Sequence, residues 1–274
     1  MTIITSPGRA ATLAASDLSN NPFVTGAPLS GSYSTDGATE TEAAANAATG
    51  TTFDPWVATL TGTSAAWEVD LGSALSPSFV GIAAHNIGAL GGSVRVRHSD
   101  DGTTWTVADA DAATPTDNQA IGWRLQEGAH RYWQVQAYDM TIADVLSIGV
   151  IWLGSEIIIP MRIYQGFASP LTPNQVDLNT NVSQGAHLLG SAYTERGSTF
   201  SASFSNIEPD FIRGDDWPAF QRRWNRGEGS FWAWRPAKYG DLFWAWGAGN
   251  TIAPSNTGPA DLMGFGLSGR VYHE

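Results

Sequence analysis

The 274-residue sequence contains no cysteine and a single lysine, Lys238. The first absence excludes a disulfide framework, thiolate metal sites and thiol nucleophiles together. The second, with a formal net charge of −12, leaves no clustered cations for a phosphate backbone, so nucleic acid is not an expected partner. No apolar run is long enough to cross a bilayer. The longest, VLSIGVIWLG followed by IIIP, is interrupted by Gly149, Gly154, Ser155 and Glu156. The opening residues MTIITSPGRA lack a basic start followed by an apolar stretch, so no secretory signal is expected and the chain reads as a soluble product of the cytoplasm. Catalytic signatures are missing as well: there is no HExxH, no GxSxG and no phosphate loop, and the five histidines (His85, His98, His130, His187, His273) occur singly. The expectation is a protein that binds or assembles, not an enzyme, with no cofactor.

What is present is aromatic and glycine-rich: 12 tryptophans and 30 glycines, against 15% charged residues. The charge is uneven. Residues 1–154 hold 5 basic and 15 acidic side chains, a balance of −10; residues 155–274 hold 9 and 11, a balance of −2. This predicts two parts, 1–154 and 155–274, with different neighbours.

Strand signals dominate the first part. In AAWEVDLG, Trp67, Val69 and Leu71 share one face and Glu68 and Asp70 the other. SFVGIAAHNI suits a strand buried on both faces. In SVRVRHSDDGTTWTVAD, Val94 and Val96 alternate with Arg95 and Arg97, and Asp101-Gly102 marks a hairpin turn ahead of Trp105. HRYWQVQAYD alternates again, and VLSIGVIWLG closes the region. ETEAAANAATG reads as a short helix or a loop. These short strands with frequent turns predict an all-β chain whose first part is a jelly-roll β-sandwich.

The second part is expected to be a β-sandwich-like domain with one flanking α-helix near 215–226. IIIPMRIYQGFA reads as its first strand, with Pro160 at an edge or bend. Further strands are expected through VDLNTNV to FSNI, with turns at Ser183–Gly185 and Arg196-Gly197. In DDWPAFQRRWNRG, an aspartate can cap a helix and Gly227 can end it. Trp217, Phe220 and Trp224 line one side; Arg222, Arg223 and Arg226 occupy the rest. GSFWAWRPAKYGDLFWAWG then predicts two aromatic strands joined by a turn at Pro236–Gly240, and GFGLSGRVY a last strand. Arg213-Gly214-Asp215 spells an integrin-binding tripeptide, which the approach to a helix cap explains more simply.

Four motifs stand in a telling order: Trp67-Glu68-Val69-Asp70-Leu71-Gly72, the apolar strand Phe79–Ala84, Ser99–Trp105, and Arg131-Tyr132. Together, over residues 15–153, they resemble the discoidin family, the galactose-binding-like jelly roll. NAATGTTFDPW is similar to a degenerate form of a further family segment, with Thr49 in place of its aspartate. The resemblance implies binding of sugars, lipid headgroups or proteins through loops at one end of the jelly roll, and in some members a structural calcium ion. Residues 155–274 resemble minor tail and baseplate proteins of long-tailed bacteriophages, whose β-sandwich domains with one helix close into rings. This implies a distal-tail-like component of a virion tail tip, made in a bacterial cytoplasm, with copies of itself in a hexamer or trimer and tube and hub proteins as partners. The alternative is a carbohydrate-binding module protein without a virion role.

The candidate ligand-binding residues are Asp54 with Trp56 and His85 with Asn86, aromatic and polar groups in predicted loops. Trp56 could equally fill the base of the jelly roll, and Trp105 is expected to plug the core behind its hairpin. Asp100-Asp101 could hold calcium but more simply shape the turn. The candidate assembly interface comprises Trp217, Arg222, Arg223, Arg226, Trp232, Trp234, Arg235, Tyr239, Trp244 and Trp246, since Trp and Arg are enriched in interface cores; the other reading of the same residues is an aromatic core under the helix.

Overall fold

The computed structural model describes residues 2–5, 20–108, 112–163, 167–195, 197–257 and 261–273. Arg196, half of one expected turn, lies outside the described residues. The chain is all-β. Its strands are β1 (Thr2–Thr5), β2 (Phe23–Pro28), β3 (Ser32–Asp36), β4 (Ala38–Glu42), β5 (Trp56–Leu60), β6 (Ala65–Leu75), β7 (Phe79–His85), β8 (Ser93–Ser99), β9 (Thr106–Val107), β10 (Ile121–Arg124), β11 (His130–Tyr138) and β12 (Val145–Ile158). They continue with β13 (Val176–Val182), β14 (Leu188–Glu195), β15 (Ser198–Ile207), β16 (Gly229–Ala233), β17 (Phe243–Gly247), β18 (Ser255–Asn256) and β19 (Met263–Val271). A 3-10 helix spans Ala44–Ala48, and three α-helices follow: α1 (Pro209–Arg213), α2 (Asp216–Asn225) and α3 (Pro236–Tyr239).

Two sheets build the jelly-roll sandwich. One runs β3-β6-β11-β8-β9. It faces the β10-β7-β12 portion of a 12-stranded sheet, with β4 and β5 attached beside β12. Alternation decides what each strand buries. Trp67 and Val69 of β6, Val94 and Val96 of β8, and Trp133 and Val135 of β11 point inward and meet Trp56, Ile148 and Ile151 from the other sheet. β7 is buried on both faces because one side packs in this sandwich and the other under residues of the second half.

The large sheet does not stop where the charge balance changes. β12 is 14 residues long and passes through 154/155 without a break, pairing with β5 at Val145–Ile148, with β7 at Ile148–Gly154 and with β2 at Gly154–Ile158. The predicted separate first strand at IIIP is therefore the end of β12. β2 next pairs with β16 through Val24↔Trp232 and Phe23↔Ala233, and the order continues β17-β19-β15. Beneath α2, Trp217, Phe220 and Trp224 pack on Phe200, Trp232 and Phe265 of this extension. Each such aromatic contributes roughly 1.5–3 kcal/mol by leaving water. Phe23, Phe79, Trp152, Phe231 and Trp244 fill the junction between the two cores. Gly229 is required there: a Cβ would lie 2.0 Å from Cζ2 of Trp244.

β13 and β14 pair only with each other, as a two-stranded sheet.

Candidate functional site

The residues proposed from sequence divide sharply. Trp56 is fully buried in the jelly-roll core, so its ring presents no face to a ligand; the other reading, a plug at the base of the sandwich, is the one the geometry matches. His85 is also buried. Its Nε2 donates to the Gln119 carbonyl at 2.9 Å, and its Nδ1 accepts from the Ile87 N–H at 3.3 Å. Burial holds its pKa down at about 4, so the ring is neutral and both nitrogens are spent on the fold. Asn86 works as an extra rung of the sheet: Nδ2 donates to the Val145 carbonyl at 2.8 Å and Oδ1 accepts from the Ser147 N–H at 2.9 Å. Asp54 is exposed and accepts from Asn46 Nδ2 at 3.1 Å. The aromatic of that loop that meets solvent is its neighbour Phe53, 95% exposed.

Trp105, expected in the core, lies instead at partial exposure on the outside of the five-stranded sheet. β9 is only two residues long, so the return arm of the hairpin never inserts its tryptophan between the sheets. Trp105 sits beside Arg97, whose guanidinium lies 5.8 Å from its ring centroid and donates Nη2 to its carbonyl at 3.4 Å.

Trp105 borders a continuous polar face. The alternation that buries Val94, Val96, Trp133 and Val135 turns Arg95 and Arg97 of β8, Tyr132, Gln134, Gln136 and Tyr138 of β11, and Glu68 and Asp70 of β6 to the outer side. Cross-strand register lines them up. Arg97 Nη1 donates to Gln134 Oε1 at 3.0 Å, and Gln134 Nε2 donates to Glu68 Oε1 at 2.7 Å. Arg95 Nε donates to Gln136 Oε1 at 2.8 Å, and its guanidinium rests 4.7 Å over the Tyr138 ring. Arg131 grips Asp70 with two bonds of 2.7 Å and lies 4.9 Å over Tyr132. Desolvation raises the Glu68 pKa, with Asp36 adding to the effect and the Gln134 hydrogen bond opposing it. The two bonds from Arg131 hold Asp70 below its ordinary value. Ser34 of β3 joins the face, its Oγ donating to Glu68 Oε2 at 3.3 Å. The face offers the Gln136 amide, two guanidinium groups and the Glu68 carboxylate in one row between three aromatic rings, over a buried Gln134 that braces Arg97 and Glu68.

The turn that carries Trp105 is fixed by Asp101. Its carboxylate accepts from the N–H groups of Thr104 (2.7 Å) and Thr103 (2.8 Å) and from the Ser99 hydroxyl (2.9 Å), in that order of influence pulling its pKa well below the carboxylate range. Its neighbour Asp100 points elsewhere, to His130 Nδ1 at 2.8 Å. His130, His98 and Glu127, which looked solitary in sequence, converge at this end of the sheet. Two signals could have shown it. Inward parity follows Val94 and Val96 to His98, and Glu127-Gly-Ala-His130 leads into β11.

The proposed interface residues are mostly structural. Trp217, Trp232 and Trp244 are buried, which corrects their assignment to an outer surface: the aromatic hairpin and α2 face one another across a core. Arg223 is turned inward, donating to the carbonyls of Gly26 (2.6 Å) and Gly229 (3.2 Å) and lying 4.8 Å over Trp152. Trp234 and Trp246 are partly buried; Trp234 Nε1 donates to Asp241 at 3.0 Å and its ring stacks on Tyr239. Arg235 is partly buried as well, and only Arg222, Arg226 and Tyr239 of the set are exposed.

No protein-family model matches the chain, and no curated protein matches it. Among solved structures, chitosan-binding module 1 from a chitosanase/glucanase of Paenibacillus sp. IK-5 is similar at 17% identity, over 47% of this chain and 97% of its own, with a TM-score of 0.39. CBM32-1 from a family 31 glycoside hydrolase of Clostridium perfringens is similar at 13% identity, over 47% and 96%, with a TM-score of 0.38. The CBM32 of AlyQ, solved with 4,5-unsaturated mannuronic acid, is similar at 15% identity, over 44% and 92%, with a TM-score of 0.37.

Proposed function

We propose that this chain is a non-enzymatic carbohydrate-binding protein and that the outer face of the five-stranded sheet is its binding surface. The observation that carries the reading is the row Arg95, Gln136, Arg97 and Glu68, braced from beneath by the buried Gln134 and set between Trp105, Tyr132 and Tyr138. A sugar ring has an apolar C–H face that packs on an aromatic plane and a rim of hydroxyls that takes paired donors and acceptors. Arg95 uses Nε on Gln136 and has four further N–H donors at its terminal nitrogens. The test is a glycan array followed by titration calorimetry on the full chain. Binding that Trp105→Ala removes, with the unfolding midpoint unchanged, supports the assignment. A flat array, or binding lost on Phe53→Ala and kept on Trp105→Ala, overturns this face as the site.

A second reading, a structural subunit of a particle such as a phage tail tip, is favoured by one observation. The β13–β14 hairpin exposes Val176, Leu178, Val182, Leu188, Leu189 and Tyr193 at 46–69%, with no third strand beside it among the described residues. A lone hairpin is marginal in water, and exposed apolar surface of this kind marks contact with another chain. Light scattering on the intact protein tests it. Rings or multimers that revert to monomers when Leu178, Leu188 and Leu189 become serine support assembly; a monomer at all concentrations and in the presence of partner tail proteins counts against it.

A further inference from the structure

We infer that His98, Glu127 and His130 form a binding site for one zinc-type divalent ion, with Asp100 as the orienting carboxylate behind it. The ligand-capable atoms of the three residues all lie within 4.8 Å of one another. They come from separate places: His98 near the end of β8, Glu127 in the segment before β11, and His130 as the first residue of β11. The fold brings them together at a register shift between His130 and Tyr132 where β11 meets β6, an irregularity of the kind that re-aims side chains.

The chemistry fits a borderline metal. Two imidazoles and a carboxylate are the donor set of three-ligand zinc sites that leave a fourth position open. His98 Nε2 stands 3.6 Å from Glu127 Oε2, close to the ~3.3 Å edge of a tetrahedron with bonds of about 2.0–2.1 Å. His130 Nδ1 is engaged by Asp100 Oδ1 at 2.8 Å. That contact selects the tautomer with the proton on Nδ1 and the lone pair on Nε2, the arrangement of a carboxylate–histidine–metal relay. The side chains of His98, Glu127 and His130 are 12, 13 and 19% exposed, so an ion there is sheltered yet reachable.

The two imidazole rings stack at 3.8 Å between centroids, so joint ligation needs one ring to turn until both in-plane lone pairs meet at the ion. The surroundings are firm. Trp133 packs against both rings and donates Nε1 to the His130 carbonyl at 3.1 Å, and the Ser76 hydroxyl holds the Glu127 carbonyl at 2.7 Å. Asp100 follows Ser99, whose hydroxyl is fixed by the Asp101 turn; its own side chain is 75% exposed and meets His130 from the solvent side. A bound ion would pin the hairpin that carries Trp105 to the start of β11, beside Tyr132 and Arg131.

The test uses the full chain, stripped with a chelator and free of any histidine tag. Zn2+ titration calorimetry, with Ca2+ and Mg2+ in parallel, measures stoichiometry and preference. Co2+ absorption on the wild-type protein reports coordination number without any mutation. The expected result is one Zn2+ per chain, no comparable Ca2+ or Mg2+ binding, and an intense four-coordinate Co2+ spectrum. His98→Ala and His130→Ala should each abolish it, Asp100→Asn should weaken it about 10–100-fold, and His187→Ala, at an exposed histidine of the β13–β14 turn, should leave it intact. Absence of Zn2+ binding overturns the site. So does binding that survives His98→Ala and His130→Ala, or a weak six-coordinate Co2+ spectrum. Should those variants fail to fold, the wild-type Co2+ spectrum decides by itself: four-coordinate upholds the site and six-coordinate overturns it.

Discussion

Arg124 and Glu156 form an ion pair at 2.6 Å, Nε to Oε2, with both side chains 1% exposed. The pair joins β10 to β12 across the rim of the jelly roll, and the Arg124 guanidinium lies 5.0 Å over the Phe23 ring. Removing one partner strands the other charge away from water, so Glu156→Ala should cost about 3–5 kcal/mol in urea unfolding. Arg124→Met combined with Glu156→Leu should recover most of that loss, because neither desolvated charge remains. A single variant that unfolds at the wild-type urea concentration would show that the pair is solvated in solution.

The neutral state of His85 predicts a pH dependence. Its folded pKa, about 4, lies below the ordinary 6.5, so the unfolded chain takes up the proton first as pH falls. The stabilisation is complete above pH 6.5 and is lost progressively as pH falls toward about 4, by roughly 3 kcal/mol in all. Unfolding midpoints measured between pH 7.5 and 4.5 should fall steadily, and His85→Gln, which does not titrate, should flatten the profile in this window. An equally steep profile in that variant would assign the effect to other groups.

At the junction, Gly229→Ala should be destabilising by about 1–3 kcal/mol, the usual cost of overpacking, since the added carbon falls on the buried Trp244 ring. Gly266→Ala is the control: nothing lies within 4 Å of its Cβ position and its backbone is not left-handed. That variant should unfold at or slightly above the wild-type temperature. Equal midpoints for the two variants would mean that Trp244 can move.

Arg223→Met keeps an unbranched chain over Trp152 but gives up the donors to the Gly26 and Gly229 carbonyls and to the Glu228 carboxylate. It should lower stability by about 1.5–3 kcal/mol per charged hydrogen bond at most, whereas Arg222→Met on the exposed side of α2 should change little. Hydrogen exchange at the β2 and β16 amides reports the loss directly; unchanged protection there would show that the clamp is dispensable.

Much of the architecture is legible from alternation alone. Trp67/Val69/Leu71 against Glu68/Asp70 predicts both the inward and the outward face of β6, and the uninterrupted apolar run at 79–84 predicts that β7 is covered on both sides. The helix at 216–225 follows from one apolar stripe, whereas the expected aspartate cap does not form: Asp215 makes no side-chain hydrogen bond to the first turn. What periodicity does not carry is long-range pairing. Nothing local in FVTGAP announces that β2 will sit between β12 and a strand more than 200 residues later. The same limit hid the ligand-capable cluster: His98 and His130 are stacked in space but 32 positions apart, and only the register of β8 on β11 brings them together. Aromatic content was misleading in the other direction. A tryptophan-rich hairpin carries the composition of an interface and of a core alike, and the residues that distinguish them, Trp232 on Phe200 and Trp244 on Trp152, are contacts between distant segments.

The position of β2 has a consequence for synthesis. When residues 1–158 have left the ribosome, β2 can already pair with β12, but its other edge lacks a neighbour until Gly229–Ala233 follows, some seventy residues later. During that interval the nascent chain carries a raw sheet margin, and the hydrophobic surface of Phe23, Phe79 and Trp152 stays uncovered by Phe231 and Trp244. An expressed fragment ending at 158 would keep that margin permanently. Such a fragment is expected to aggregate more readily than the full chain, a consequence of where one six-residue strand stands in the gene order.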